Sequence, residues 1–298
     1  MTTAGDLFVD SEIASQPECW ERARAAAARA GGLPQPGERV AVIGCGTSWF
    51  MAMAYAARRE RAGHGRTDAF TAAEFPAART YDRVVAITRS GATTEVIRTL
   101  RSLAPGVPTV ALTAQPTAPV KDAARDVVDL SFADERSVVQ TRFATTALAL
   151  LRSSLGEDIS EAIGDSRVAL AESAPPAVIE AEHFAFLGQG WTIGLAEEAA
   201  LKLREASLSF TEAHPAMDYR HGPIALAQPG RVVWVVGEAP PGLAADVTRT
   251  GATWFQPHGD PMATLVLAQR VAVARGLARG LDPDHPRNLS RAVVLRGA

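Results

Sequence analysis

The strongest constraint on the fold is a pattern that occurs twice: a short apolar run ending in two closely spaced glycines, followed by a helical pattern. The two copies read IGCGTSW at 43–49 and LGQGWTI at 187–193, with their glycines at the same spacing. Short apolar runs that alternate with helices are typical of a parallel sheet covered on both faces. The repeat therefore predicts two similar α/β domains in one chain.

The remaining segments extend this alternation along the chain. Further strands are predicted at 83–91, 109–114, 127–132, 231–237 and 253–256, and helices at about 48–61, 138–155, 191–208, 241–250 and 261–280. A length of 298 residues is typical of about two domains. Pro175 and Pro176 mark the predicted linker. We therefore expect a helical arm (1–35), a first domain (36–165) and a second domain (175–298).

The composition is that of an ordinary globular protein. The chain is 47% hydrophobic and 21% charged, and its net charge of −3 argues against a nucleic-acid-binding surface. Cys19 and Cys45 provide neither a disulfide framework nor a zinc-binding spacing. The N-terminus lacks the apolar core of a signal peptide, and arginines interrupt the most apolar helical stretch. We expect a cytoplasmic protein that contacts neither membranes nor nucleic acids.

Two loops with small hydroxyl side chains follow predicted strands of the first domain. GCGTS at 44–48 and TRSGATT at 88–94 place these hydroxyls where helices begin, and free N–H groups and the helix dipole favour an anion there. Either loop alone could be an ordinary capped turn. Two such loops would meet at the carboxyl edge of a parallel sheet, which favours an anion site. Neither loop has the pattern of a P-loop or of a dinucleotide site.

A possible proton-transfer group surrounds one of the two lysines. Among thirty Lys and Arg residues only Lys121 and Lys202 are lysines, and Lys202 lies four residues after Glu198 and three before Glu205. On a helix these three share one face, and their mostly apolar neighbours favour a buried functional cluster over a solvated ion-pair stripe. A carboxylate there could take a proton from carbon. His221 is a candidate acid/base on a loop, although a surface histidine is the ordinary alternative.

Together these segments resemble the SIS (sugar isomerase) domain family over nearly the whole chain. The resemblance rests on SEIASQPE at 11–18, the two hydroxyl loops, QTRFATTALALL at 140–151, EEAALKLREAS, RHGP and PRNLSRAV. Its nearest counterparts are the isomerase half of glucosamine-6-phosphate synthase and the amino-sugar-phosphate deaminases and isomerases. It implies two tandem SIS domains, each a mostly parallel α/β sheet flanked by helices in a flavodoxin-like or Rossmann-like three-layer arrangement. It also implies a homodimer with the active site near the subunit interface, and no cofactor or metal.

The resemblance further implies roles for particular residues toward a small-molecule sugar phosphate. The residues that would hold its 6-phosphate are Thr47, Ser48, Thr88, Ser90 and Thr93, with Arg89 as an added charge. Glu205 would be the base for proton transfer between C1 and C2, Lys202 would stabilise charge on the sugar oxygens, and His221 would assist ring opening. The residues that would line the sugar are Gly46, Gln140, Thr141, Glu198 and Arg291.

The sequence departs from the synthase pattern at three points. We expect no glutamine amidotransferase activity, because a glutaminase domain is missing. The loop that usually reads SQSGET is TRSGAT, so Arg89 and Ala92 replace Gln and Glu. Arg291 stands where the synthase has its Schiff-base lysine, and arginine does not form that imine.

Three functions remain open from the residues alone. They are a deaminating isomerase on an amino-sugar 6-phosphate, a dehydratase or lyase on an N-acetylated one, and a non-catalytic sugar-phosphate sensor. A clustered set of ionisable groups favours the enzyme over the sensor.

Overall fold

A computed structural model describes residues 7–295, which form two compact units. The five-stranded unit comprises residues 18–135, 142–159 and the described chain from 290 onward. The four-stranded unit comprises the described chain up to 17, then 136–141 and 160–289. Each unit is therefore assembled from three separate stretches of sequence.

The five-stranded unit is built on a fully parallel sheet. Its strands are β1 (Val40–Gly44), β2 (Thr67–Thr71), β3 (Arg83–Ile87), β4 (Thr109–Thr113) and β5 (Asp126–Asp129), in the order β2-β1-β3-β4-β5. Strands β1 and β4 are buried along their whole length, as interior strands covered on both faces are. The strand order reverses between β1 and β3. Such a reversal opens a crevice at the carboxyl ends of the strands.

The helices of this unit cover the sheet. They are α2 (Gln16–Ala27, whose first two residues belong to the other unit), α3 (Thr47–Arg61), α4 (Thr94–Ser102) and α5 (Arg142–Ser154). Val96 and Leu100 of α4 pack with Ile43 and Val84 of the sheet in one core cluster. The α5 helix is buried over most of its length. Burial around most of a helix is typical of the interior of a domain.

The four-stranded unit has the same winding with one strand fewer. Its strands are β6 (His183–Gly188), β7 (Phe210–Pro215), β8 (Arg231–Val236) and β9 (Thr253–Phe255), all parallel, in the order β7-β6-β8-β9. Its helices are α1 (Phe8–Ala14), α6 (Ser160–Ala171), α7 (Pro176–Ile179), α8 (Thr192–Ser207), α9 (Leu243–Arg249) and α10 (Pro261–Ala278). The strand order reverses between β6 and β8, so this sheet has a crevice of the same kind.

The repeated glycines allow close contact between a strand and the helix that follows it. A β-carbon on Gly44 would lie 2.6 Å from the backbone carbonyl carbon of Ser48, and one on Gly188 would lie 2.3 Å from the carbonyl oxygen of Thr192. No side chain fits at either distance. The second glycine of each copy has a positive φ, which L-residues rarely adopt. The two copies of the motif are thus two copies of one sterically demanding turn.

The predicted α/β class is confirmed, because both sheets are parallel and flanked by helices. The sequence patterns did not reveal β2 and β7, which are edge strands, or α6, which lies before the linker predicted at Pro175 and Pro176. The helix predicted from 138 begins only at Arg142.

The compact units also divide the chain differently from the predicted arm and domains. The arm predicted at 1–35 is split after Pro17, so that α1 joins the four-stranded unit and most of α2 joins the five-stranded unit. The last described residues, 290–295, join the five-stranded unit, although they follow β6–β9 in sequence.

A pair of glycine substitutions in the four-stranded unit tests the close strand–helix contact. Gly188→Ala should destabilise the protein by about 1–3 kcal/mol or more, because the new methyl group overlaps backbone atoms. Gly164→Ala, in α6, meets no atom within 4 Å and should stabilise by about 0.5–1 kcal/mol by restricting the unfolded chain. Urea unfolding measures both, and equal effects of the two substitutions would contradict this account.

Candidate active site

The crevice of the five-stranded unit is bordered by the loops after β1 and β3. Helix α3 begins at Thr47 directly after Gly46, whose φ is 54°, and α4 begins at Thr94 after Thr93. Both helices thus start at the carboxyl edge of the sheet. The partial positive charge of two helix N-termini makes this edge suitable for an anion.

Hydroxyl side chains are concentrated in these two loops. Thr47, Ser48 and Thr88 are buried, and Thr88 Oγ1 has no hydrogen-bond partner within residues 7–295. Ser90 Oγ lies 3.5 Å from Thr93 Oγ1 and accepts the backbone N–H of Ala92 at 3.2 Å. The structure therefore brings Ser90 and Thr93 together. The buried hydroxyl of Thr88 retains hydrogen-bonding capacity that a ligand could use.

Arg89, predicted as an added charge for phosphate, has its guanidinium group beside another residue's carboxylate. Its side chain is buried, with Nη1 3.3 Å from Glu135 Oε2, and Nη2 donates to the backbone oxygen of Arg291 at 3.1 Å. A buried charge needs such a partner, because desolvation of an isolated ion is very costly. The positive charge of Arg89 is thus largely neutralised within the unit.

Arg291, predicted to line the sugar, belongs to a tail that lies along the start of α4. Its Nη2 forms an ion pair with Asp134 Oδ1. The tail continues past it, where the carbonyl of Val293 accepts the N–H of Thr94 at 3.1 Å and Leu295 N–H donates to Thr94 Oγ1 at 2.9 Å. The chain from 291 to 295 is therefore hydrogen-bonded to the second hydroxyl loop.

In the four-stranded unit, α8 places Lys202 between two carboxylates. Lys202 Nζ lies 2.5 Å from Glu205 Oε2 and 3.4 Å from Glu198 Oε1. The side chains of Lys202 and Glu198 are each only 1% exposed, whereas that of Glu205 is 18% exposed. The predicted three-residue face thus exists. Of its two carboxylates, only that of Glu205 is accessible to solvent to an appreciable extent.

Glu205 also borders a cavity of about 180 Å³ in the same unit. The other lining residues are Ala206, Leu208, Gly280, Leu281, Asp282, His285, Pro286 and Arg287. Asp282 Oδ2 lies 3.0 Å from Nδ1 of His285. Asp282, His285 and Arg287 were not predicted as site residues, although PRNLSRAV is among the segments that resemble the SIS family. These residues border the same cavity as Glu205 because of the path that the chain takes after α10.

The other predicted site residues of this unit lie outside the lysine cluster. Gln140 and Thr141 belong to the segment before α5, and the buried Oε1 of Gln140 has no hydrogen-bond partner within residues 7–295. His221 ends a 3-10 helix, Asp218–His221, and is exposed.

Two features of the described chain bear on other classes of function. Within residues 7–295, no group of three or more His, Cys, Asp or Glu side chains is arranged to hold a metal ion. No helix in that stretch has the length and apolarity needed to cross a membrane.

Comparison with known proteins places part of the chain in a described family. Residues 35–153 match the SIS domain family. The glutamine–fructose-6-phosphate aminotransferase (isomerizing) of Gloeobacter violaceus is 28% identical over 318 residues, which cover 87% of this chain and 52% of that protein. The chain thus spans about half the length of the curated relatives it matches.

Solved structures match over nearly the entire chain. A glucosamine-6-phosphate deaminase from Thermotoga maritima has a TM-score of 0.80 and 25% identity, and the match covers 96% of this chain and 98% of that one. A tagatose-6-phosphate ketose/aldose isomerase from Escherichia coli has a TM-score of 0.77 and 19% identity, covering 97% and 99%. At that lower identity the likeness shows the fold alone.

The two lysines provide a matched test of the buried charge cluster. Lys202→Met should destabilise the protein by about 3–5 kcal/mol at neutral pH, because two neighbouring carboxylates lose the cation between them. Lys121→Met, at an exposed position, should change stability by less than about 0.5 kcal/mol. Urea unfolding of both variants measures the difference, and a Lys202→Met protein as stable as the wild type would show that the cluster is not held by its lysine.

Proposed function

We propose that this protein, part of which matches the SIS domain family, is a phosphosugar isomerase that deaminates an amino-sugar 6-phosphate by moving a proton between C2 and C1. The observation that carries the proposal is the position of Glu205, whose carboxylate contacts Lys202 and borders a cavity. The likeness to a glucosamine-6-phosphate deaminase over nearly the whole chain supports the substrate class.

Accessibility distinguishes the two carboxylates beside Lys202. A general base must reach the proton that it removes, either directly or through one water. The side chain of Glu198 is 1% exposed, whereas that of Glu205 is 18% exposed and borders the cavity. We therefore assign proton transfer to Glu205. Glu198 instead forms a buried ion pair with Lys202 at 3.4 Å.

The proposed reaction begins with the open-chain aldose. Glu205 removes the proton from C2, and the electron pair shifts toward the oxygen on C1. Proton return to C1, together with transfer of a proton from the amino group to the oxygen on C1, leaves a hydroxyl on C1 and an imine at C2. Addition of water to this imine releases ammonia and leaves a ketose 6-phosphate. One water is consumed for each ammonia released, so the sequence balances without a cofactor.

Lys202 is proposed as a positioned cation in this reaction. An ammonium group held by two carboxylates is fixed in place before the substrate arrives, and pre-oriented charge is an effective way to stabilise a developing oxyanion. Arginine at 291 cannot form an imine with a sugar carbonyl, so the scheme needs no covalent step with the enzyme. His221 is proposed to assist ring opening.

The phosphate-binding role is proposed for the two hydroxyl loops of the five-stranded unit. Two helix N-termini and the hydroxyls of Ser48, Thr88, Ser90 and Thr93 provide donors of the kind that bind phosphate. Because Arg89 is paired with Glu135, we assign it to holding the loop rather than to direct contact with the phosphate. Gly46, Gln140 and Thr141 keep their proposed role of lining the sugar.

We also propose a homodimer. Phe210, the first residue of edge strand β7, is 80% exposed, and Leu208, Met217 and Leu226 of the same unit are exposed large apolar residues. Contiguous exposed apolar patches are typical of surfaces that another chain covers, and we propose that these residues contribute to one. Light scattering should give twice the monomer mass, and a monomer at micromolar concentration would exclude the dimer.

Variants of three neighbouring glutamates on α8 test the assignment of the base. With glucosamine 6-phosphate as substrate, Glu205→Gln should lower kcat by about 10²–10⁴-fold, because the amide cannot accept the proton. Glu198→Gln should have a smaller effect on kcat, since its carboxylate does not reach the cavity. Glu197→Gln serves as the matched control. Coupled assays for ammonia and ketose phosphate measure turnover in each case.

The same experiment separates the alternative functions. Loss of water from an N-acetylated amino-sugar 6-phosphate, followed by mass spectrometry, would identify a dehydratase in place of the deaminase. Binding of sugar phosphates without turnover by the wild type, with unchanged binding by Glu205→Gln, would identify a sensor. A Lys202→Arg variant should keep part of the activity that Glu205→Gln loses, and the reverse order would overturn the assigned roles.

A further inference from the structure

The carboxylate of Glu12 on α1 is buried in the four-stranded unit, and the proposed reaction does not use it. The residue is 2% exposed. Its Oε1 accepts the backbone N–H groups of Arg136 and Ser137, and its Oε2 accepts the hydroxyl of Ser137. Such charge-assisted bonds are among the strongest in proteins. Glu12 therefore fixes the backbone of the segment that leads to α5.

A second buried carboxylate ties the same helix to the loop after α10. Asp284 Oδ2 accepts the N–H of Phe8 at 2.8 Å, and its Oδ1 accepts that of Val9 at 2.9 Å, at the start of α1. The backbone oxygen of Asp284 accepts the N–H of Val138 at 3.1 Å. Three segments that are far apart in sequence, 8–12, 136–139 and 282–286, thus share one hydrogen-bonded network.

This network rests on the core of the unit. Gln16, just after α1, donates its Nε2 to Oε1 of Gln269 in α10 at 2.7 Å, and both residues are buried. Helix α10 in turn packs along α8, the helix that carries Glu205. The segment that carries Glu12 is therefore anchored to α10, which also packs against the proposed catalytic helix α8.

Two of the segments in the network end at proposed substrate groups. The segment 136–139 continues into Gln140, whose buried Oε1 has no hydrogen-bond partner within the described chain. An unsatisfied buried acceptor is costly and is suited to a ligand hydroxyl. The loop held by Asp284 carries Asp282, His285 and Arg287, which border the cavity beside Glu205.

We propose that Glu12 and Asp284 are positioning residues that set Gln140 and the cavity loop in place for the substrate. The inference rests on the proposed function of Glu205. It links the segment SEIASQPE (11–18) and the loop at 282–286, which are far apart in sequence, to one proposed site. Small displacements of binding groups can reduce catalysis strongly, so loss of the Glu12 contacts should be visible in turnover without unfolding.

Two substitutions at Glu12 separate geometry from charge. Glu12→Ala removes all three acceptor contacts and should lower kcat/KM for glucosamine 6-phosphate by about 10–100-fold. Glu12→Gln keeps an oxygen for the two backbone N–H groups, and its Nε2 can donate to Ser137 Oγ while that hydroxyl donates to the carbonyl of Val139. The Gln variant should therefore recover most of the activity. Glu18→Ala, at an exposed position on α2, is the control.

Hydrogen–deuterium exchange supplies a readout that does not depend on activity. In Glu12→Ala, exchange should quicken in 136–141 and 282–287 and remain unchanged in β6 and β8. Faster exchange throughout the protein would assign Glu12 to global stability and overturn the proposal, as would unchanged exchange with unchanged kcat/KM. If the Ala variant does not fold, Glu12→Asp, which retracts the carboxylate by one methylene, is judged by the same criteria.

The two proposals can fail independently. A wild type that turns over no phosphosugar removes the proposed function, while the exchange pattern still decides whether Glu12 holds the two segments. An active wild type with an equally active Glu12→Ala variant removes the positioning role alone.

Discussion

The proposed chemistry depends on one buried interaction, in which the ammonium group of Lys202 contacts the carboxylates of Glu198 and Glu205. A buried ion pair is not by itself a source of stability, since desolvation can cancel the attraction between its members. A three-member cluster with two carboxylates and one cation is harder to explain as a structural device. The two carboxylates differ in their surroundings, because Glu198 is buried in the core and Glu205 borders a cavity. This difference favours a functional role for the cluster. The rest of the four-stranded unit holds this cluster at a defined place beside that cavity.

Local physics made much of this architecture predictable. The turns after β1 and β6 each require a glycine, because a β-carbon at that position would lie within 3 Å of the backbone of the next helix. Both copies of the turn therefore carry the same glycine motif in the sequence. The cluster on α8 was equally predictable, since residues three and four apart share a helix face. The strands β2 (TDAFT) and β7 (FTEAHP) were missed because they lack the apolar run by which the other strands were predicted. Their residues are accordingly less buried and less apolar than those of β1 or β8.

Contacts between distant parts of the sequence could not be predicted. Arg89 and Glu135 are 46 residues apart, and Glu12 and Ser137 are 125 apart. Nothing in either local sequence indicates the partner. Arg89 therefore looked like a phosphate ligand, although its charge is satisfied by a carboxylate in the same unit. The late start of α5 has a similar cause, because the N–H of Val138 donates to the backbone oxygen of Asp284 and the carbonyl of Val139 accepts the hydroxyl of Ser137. In both cases the structure is determined by hydrogen bonds between segments that are distant in sequence, which a local sequence pattern does not indicate.

The most direct test of the central claim follows the proton itself. Wild-type protein is incubated with glucosamine 6-phosphate in D₂O, and proton NMR records loss of the C2 proton signal and deuterium at C1 of the ketose. The account predicts both for the wild type and for Glu198→Gln at a reduced rate, and neither for Glu205→Gln. Exchange of the C2 proton by Glu205→Gln at the wild-type rate would show that another group removes it, and would contradict the assignment of Glu205 as the base.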